Sequence, residues 1–351
     1  MNLSIVVPIY NVESYLEACL SSIEPILSNE NVELILVNDG SKDGSEDICY
    51  KYIDKISNNK QQTTNNKQQT TNNKQQTTNN KQQTTNNKQQ TTNNKQQTTN
   101  NKQQTTNNKQ QTTNNKQQTT NDDFINCQVL LDFLSKDDID MPDVVFLNAV
   151  KYDKGSVSYF GEDYQPEKIL NQSKVEVLKG LCRFRKFPGS AWNKIIKREL
   201  IIKEKLFFEK GIYSEDVEWS MRLFNAATTF SYLDGCYYYY RQGREDSITG
   251  TVSEKSIKSL LYILEKNAEM EFNRDISSYL YSFLSYEYLV LLFIMTSKNI
   301  ACDADIKRRA YHLRFMLLKS NKLIYKLIFP IITLFGVDIT GRILKAIRGN
   351  I

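Results

Sequence analysis

Where a strand-like run gives way to "LILVNDGSKDGS", the chain sets a carboxylate, a glycine and a hydroxyl side by side as Asp39, Gly40 and Ser41. An aspartate just past a strand end can accept a hydrogen bond from the N–H of a nucleotide base. The Gly-Ser pair permits a tight turn beside it. Taken alone, the same three residues are also an ordinary loop. Other chemistries are closed off by residue type. His312 is the only histidine, which excludes a Ser-His-Asp triad and a multi-histidine metal site. The six cysteines (Cys19, Cys49, Cys127, Cys182, Cys236 and Cys302) have no CxxC spacing and read as reduced thiols without a metal.

The elements that must hold these residues follow from periodicity. Residues 3–8 form a β-branched run suited to a buried parallel strand. "NVESYLEACLSSIEPIL" follows with helical spacing and Asn11 as its N-cap. A second buried strand, "VELILVN", the "DGS" turn and a short helix, "EDICYKYI", complete the opening of a doubly wound α/β sheet. Such sheets bind ligands at the carboxyl ends of their strands, which here are "VVPIYNVE" and "NDGSKDGS". Further on, "DDFINCQVLLDFLSK" has helical spacing and "DVVFLNAVKYD" reads as a buried strand. "KVEVLKGLC", "NKIIKRELIIKEK" and "SEDVEWSMRLFNAA" are expected helices, the last capped by Ser214. "TFSYLDG" and "CYYYYRQ" are expected aromatic strands, and the pattern from Val252 onward is helical.

The formal charge is +5, but nine lysines of a seven-residue repeat, from Lys60 to Lys116, account for more than all of it. The basic balance therefore carries no expectation of nucleic acid binding. From Ile306 to Ile351 ten Lys/Arg stand against Asp338 alone. An acidic body with a basic, apolar tail points to a membrane surface. "NKLIYKLIFPIITLFG" and "RILKAIRGN", with Pro330 as a kink, fit a helix lying in the bilayer interface; packing on the body of the protein is the competing reading. The longest apolar stretch, "YLVLLFIM" from Tyr288, is short of the ~20 residues of a spanning helix. "LSIVVP" follows Met1-Asn2 directly, without the basic segment of a signal peptide. The expected location is cytoplasmic, peripheral on the inner face of the plasma membrane.

"SIVVPIYNVESYLEACLSSI" followed by "ELILVNDGSKDGS" resembles the opening of the family 2 glycosyltransferases, enzymes of GT-A fold that move a sugar from a nucleotide-sugar donor. "SAWNKIIKREL", "FFEKGIYSEDVEWSMRLF" and "YYYYRQGREDSIT" resemble, in the same order, the bacterial surface-polysaccharide and lipooligosaccharide branch. The likeness runs over residues 3–56 and 122–249. It implies that Pro8, Tyr10 and Glu13 form a nucleotide-contacting loop, and that Asp39, with Gly40 and Ser41, reads the uracil of a UDP-sugar. It also implies that Asp216, beside Glu215, is the carboxylate that takes the acceptor proton. Arg241 and Arg244 match basic residues near the diphosphate, with solvated charge an equal alternative. Trp192 is either an acceptor-stacking residue or a core tryptophan.

Between the "DGS" turn and the acceptor half, the resembled family has strands ending in "DSDD", whose carboxylates bind ribose and a divalent cation, Mg²⁺ or Mn²⁺. Here that place is taken by nine copies of "NNKQQTT", and only Asp122 and Asp123 match the motif's second half. By the resemblance Asp122 is the metal-ligand candidate and Asp123 its neighbour. A tract of Asn, Lys, Gln and Thr buries nothing apolar to offset ~1–2 kcal/mol of ordering entropy per residue, so the expectation is disorder. One set of standard codons for the unit, AAC AAC AAA CAA CAA ACA ACA, is "AACAACA" three times over, which suggests a slippage-prone DNA unit and phase-variable expression.

The expected architecture is thus α/β, a GT-A type nucleotide-sugar-binding sheet flanked by helices. It divides into a nucleotide-binding part (1–57), a disordered repeat (58–121), a metal and acceptor part (122–250) and a helical C-terminal region (251–351). The implied activity is inverting transfer from a UDP-sugar to a lipid-linked or surface glycan acceptor at a membrane surface, with no nucleic acid partner. The replaced segment keeps a second reading open: an impaired remnant that binds nucleotide or acts as a membrane-associated interaction protein.

Overall fold

The computed structural model describes residues 3–57, 123–135, 141–162, 164–184, 187–242, 253–296 and 302–348. The "NNKQQTT" tract, Asp122 and Arg244 lie outside the described residues. The chain forms two compact units, Met1–Phe124 and Ile125–Ile351.

In the first unit β1 (Leu3–Ile9) and β2 (Val32–Asn38) pair in parallel, from Leu3 opposite Val32 to Ile9 opposite Asn38. Helix α1 (Glu13–Ile23) crosses between them, as a parallel pair requires. Its Leu16, Leu20 and Ile23 are buried. A second helix, α2, occupies residues 45–57, and its Tyr52 hydroxyl donates to the Leu20 carbonyl at 2.7 Å. Two expectations change. Val12, not Asn11, stands at the N-cap of α1, because the Asn11 backbone is left-handed (φ 50°) and its side chain is used elsewhere. The strands are buried on one face only: Val6, Ile35 and Val37 are exposed.

The second unit is built on a five-stranded sheet. β3 (Phe124–Ile125), β7 (Phe230–Arg241), β4 (Val144–Asp153) and β5 (Ser156–Tyr159) lie in that order, and β6 (Lys194–Ile196) also pairs with β4. β4 is its centre: Val144, Val145, Phe146 and Leu147 are at most 1% exposed. It runs parallel to β7, with register irregularities on either side of Asn148, and antiparallel to β5 and β6. Four helices accompany the sheet: α3 (Cys127–Leu134), α4 (Lys174–Leu181), α5 (Arg198–Lys203) and α6 (Glu215–Ala226). Five more follow: α7 (Glu254–Ala268), α8 (Arg274–Ile294), α9 (Ala304–His312), α10 (Phe315–Lys319) and α11 (Leu323–Arg348). One hydrophobic cluster runs through β4, α4, α6, α7, α8 and α11.

Sequence periodicity missed three features here. "NKIIKREL" is not one helix: Lys194–Ile196 are drawn into β6 by the open edge of β4. The helix expected from "DDFINC" begins only at Cys127, capped by the Asn126 side chain, while Phe124–Ile125 join the sheet. The two aromatic strands are one, β7. All six cysteines are free thiols. The reading that no segment reaches spanning length is amended by length and composition only, since Gly336 interrupts the helix concerned with non-helical angles. Leu323–Ile347 has the length and mean hydropathy, 1.8, of a membrane-crossing helix.

Candidate active site

In the first unit the loops after β1 and β2 are stitched together at the carboxyl ends of the strands. The Asp39 N–H donates to the Ile9 carbonyl at 2.8 Å, extending the ladder by one bond. The Asn11 N–H donates to Ser41 Oγ (3.1 Å), and the Lys42 N–H returns to Asn11 Oδ1 (2.8 Å). The Val12 N–H donates to Ser45 Oγ (3.0 Å), the Glu13 N–H to Asp43 Oδ2 (2.9 Å), and the Gly44 N–H to Glu13 Oε2 (2.9 Å). The Ser45 hydroxyl, with the backbone N–H groups of Glu13 and Ser45, holds the Asp43 carboxyl below the usual range.

This arrangement divides the expected nucleotide-contacting residues into two kinds. Pro8, Tyr10, Asp39 and Gly40 are exposed at the strand ends and open to a ligand. Ser41 and Glu13 are engaged in bracing the loops. A Cβ at position 44 would lie 2.5 Å from Glu13 Oε1, so a glycine is required for the carboxylate to close on the turn.

In the second unit Asp216 is half-buried in the first turn of α6, next to the exposed Glu215. Burial, and then the Glu215 charge, push its carboxyl up to about 6, against the lowering effects of the Val217 N–H and of Lys194. Ser214 before it is left-handed (φ 60°, ψ 37°), and its side chain makes no cap hydrogen bond, contrary to the sequence expectation. The loop is held from outside instead, by the Tyr213 N–H on Ser259 Oγ of α7 at 3.0 Å.

A polar cluster that the sequence reading did not single out influences Asp216. Glu162, 2% exposed, accepts from Tyr164 Oη (2.7 Å), Ser190 Oγ (3.1 Å) and Asn193 Nδ2 (2.8 Å). Lys194 Nζ donates to the Ser190 carbonyl and to Asn193 Oδ1 (2.8 Å). Ser220 of α6 donates to the Gly189 carbonyl at 2.8 Å, tying the Ser190 loop to the Asp216 helix. Glu287 of α8 is also buried, and burial followed by the Asp216 charge pushes its carboxyl up to about 8. The signal for Ser190, Asn193 and Lys194 was present in "SAWNK". Glu162 and Glu287 carry no local signal.

Of the remaining candidates, Trp192 is half-buried and stacks on Tyr238 (4.2 Å) and Tyr240 (5.8 Å), edge-on to Phe160 (4.9 Å). Arg241 ends β7 with its guanidinium 5.1 Å from the Tyr152 ring centroid. Asp123 is half-buried just before β3. Among the described residues no group of three or more His, Cys, Asp or Glu side chains could hold a metal ion. Mg²⁺ and Mn²⁺ bind through as few as one or two carboxylates, with water and substrate phosphate oxygens completing the shell; of the expected pair only Asp123 is among the described residues.

Residues 4–68 match the family model "Glycosyl transferase family 2". A 57-residue stretch is 54% identical to the minor teichoic acid biosynthesis protein GgaB of Bacillus subtilis, covering 16% of this chain and 6% of that protein. A 50-residue stretch is 46% identical to the glycosyltransferase GlyA of Streptococcus pneumoniae, 14% of this chain and 7% of that protein. The chain thus aligns with a small fraction of either relative's length. The crystal structure of S. aureus TarS 1-349 in complex with UDP-GlcNAc superposes with a TM-score of 0.56 at 16% identity, over 100% of this chain and 92% of that one. The fold is that α/β, GT-A type architecture with a helical C-terminal region, and the chain carries a family 2 glycosyltransferase match on its β1–α1–β2 segment.

Proposed function

We propose that the protein is an inverting glycosyltransferase that moves a sugar from a UDP-sugar to a hydroxyl of a growing cell-surface glycan. The observation that carries this reading is Asp216, half-buried in the first turn of α6 with its carboxyl raised to about 6. A carboxylate with that value is ionised at neutral pH yet more basic than a solvated aspartate, as a general base should be. The acceptor oxygen attacks the sugar C1 as Asp216 takes its proton. The C1–O bond to the diphosphate breaks, and its electron pair leaves with UDP. In the first unit Asp39 would accept from the uracil N–H, with Pro8 and Tyr10 beside it and Glu13 and Ser41 bracing the loops. Arg241 and Arg244 are assigned to the diphosphate.

The matched family supports the reaction class, and the UDP-GlcNAc bound by TarS supports a UDP-sugar donor. The name of GgaB, in minor teichoic acid biosynthesis, supports a surface polymer as acceptor. A divalent cation on Asp122 and Asp123 enters only through their match to the family motif. Calorimetric titration of Mn²⁺ into wild type and Asp122→Ala, with and without UDP, tests it. Phase-variable expression rests on the repeat alone, and codons that do not reduce to a seven-base unit would end it.

The decisive test pairs binding with turnover. Asp216→Asn should lower transfer by ~10²–10⁴-fold with UDP affinity unchanged, whereas Asp39→Ala should weaken UDP binding. A wild-type rate in Asp216→Asn removes the mechanism. Absence of UDP binding and transfer in the wild type supports the remnant reading.

A further inference from the structure

α11 presents two opposite faces. Inward, Tyr325, Ile328, Ile332 and Val337 are buried in the core. Gly341 meets α8 so closely that a Cβ there would lie 2.5 Å from the Leu292 carbonyl oxygen. Outward, Leu323 (69% exposed), Leu327 (56%) and Leu334 (76%) lead into exposed Phe335, Ile339 and Ile343. Their spacing of four or seven residues makes one stripe along each half of the helix. Exposed Lys326, Arg342 and Lys345 lie along the same helix, with exposed Lys319 at the end of α10 before it. The single carboxylate of α11, Asp338, is taken up by Lys307 at 2.8 Å.

We propose that this outward face docks in the interface of an anionic lipid bilayer, lying along the surface rather than crossing it. Two observations separate lying from crossing. Gly336 has non-helical angles (φ 70°, ψ −177°) in the middle of α11. The break leaves pieces of roughly 20 Å each at ~1.5 Å per residue, short of a ~30 Å hydrocarbon core. The inward face, moreover, is committed to the protein. Charge separates lipid from a second copy of the chain: pairing two such faces sets their lysines and arginines against each other, whereas anionic headgroups neutralise them.

The test is vesicle co-sedimentation of the full chain, with phosphatidylcholine alone and with about 30% phosphatidylglycerol added. The wild type should bind the anionic vesicles about tenfold better than the neutral ones, and less well at high salt. Leu327→Gln, Leu334→Gln and Ile339→Gln together should lower binding about tenfold with an unchanged circular dichroism spectrum. Leu334→Trp should shift its emission to shorter wavelength on adding anionic vesicles. Equal sedimentation with both vesicle types, or undiminished binding by the triple variant, would overturn the proposal. So would a concentration-dependent dimer that the triple variant abolishes while vesicles capture nothing.

Discussion

Asp216 owes its basicity mainly to where it sits. Burial raises it first and the exposed Glu215 second. As the proposed base it must be ionised to act, so the rate should climb as pH rises through about 6. Glu215→Gln removes the repulsion that disfavours ionisation, and the acidic limb of kcat/KM should move to lower pH, as a pH–rate profile would show. Glu287 behaves differently, because burial keeps it protonated up to about 8. The folded state holds a proton there that the unfolded chain releases near pH 4–5. Stability is therefore lost as pH rises from that value to about 8, and the loss is complete above it. Glu287→Gln should raise the unfolding free energy at pH 8.5 by roughly 2–4 kcal/mol and leave it unchanged near pH 4, measured by denaturant melts. Sequence could place Asp216 and Glu215 in one helical turn. It could not supply the raised value, because the burial that dominates it comes from packing by other elements, as do the smaller effects of Lys194, which lowers it, and Glu162, which raises it.

At the scale of the element, α6 is fixed by a charge network beneath its catalytic-candidate turn. Glu218 has no exposed surface and pairs with Arg222 (2.8 Å) and with Lys266 of α7 (3.0 Å). Arg222 donates on to the Lys205 and Phe207 carbonyls. Glu218→Ala leaves two cations without their shared partner and should cost ~3–5 kcal/mol in chemical denaturation. The span of α6 was legible because its apolar spacing is local. "KII" at 194–196 was not, because the edge of β4 that captures it is distant in sequence and tertiary pairing overrides helical spacing. Ser214 misled for a related reason: its residue type suits a cap, but a φ of 60° turns the hydroxyl away from that task.

For the whole molecule, the α/β class and the strand-end loops followed from the pattern of apolar runs. The depth of burial did not, since a β-branched run reads the same whether one face or two are covered. The second unit has a core extending through sheet and helices, whereas among the described residues the first has two strands, whose Val6, Ile35 and Val37 are exposed. Hydrogen exchange should accordingly be faster in β1 and β2 than in β4 and β7, read by mass spectrometry of peptic fragments. The exposed strand residues have a practical consequence. Val6, Ile35 and Val37 form an array of β-branched side chains on open strands, the surface that seeds ordered aggregation. A truncated piece carrying only β1 to α2 would therefore make a poor nucleotide-binding reagent. It would precipitate during expression, whereas charged replacements such as Val6→Lys and Val37→Glu would keep it in solution.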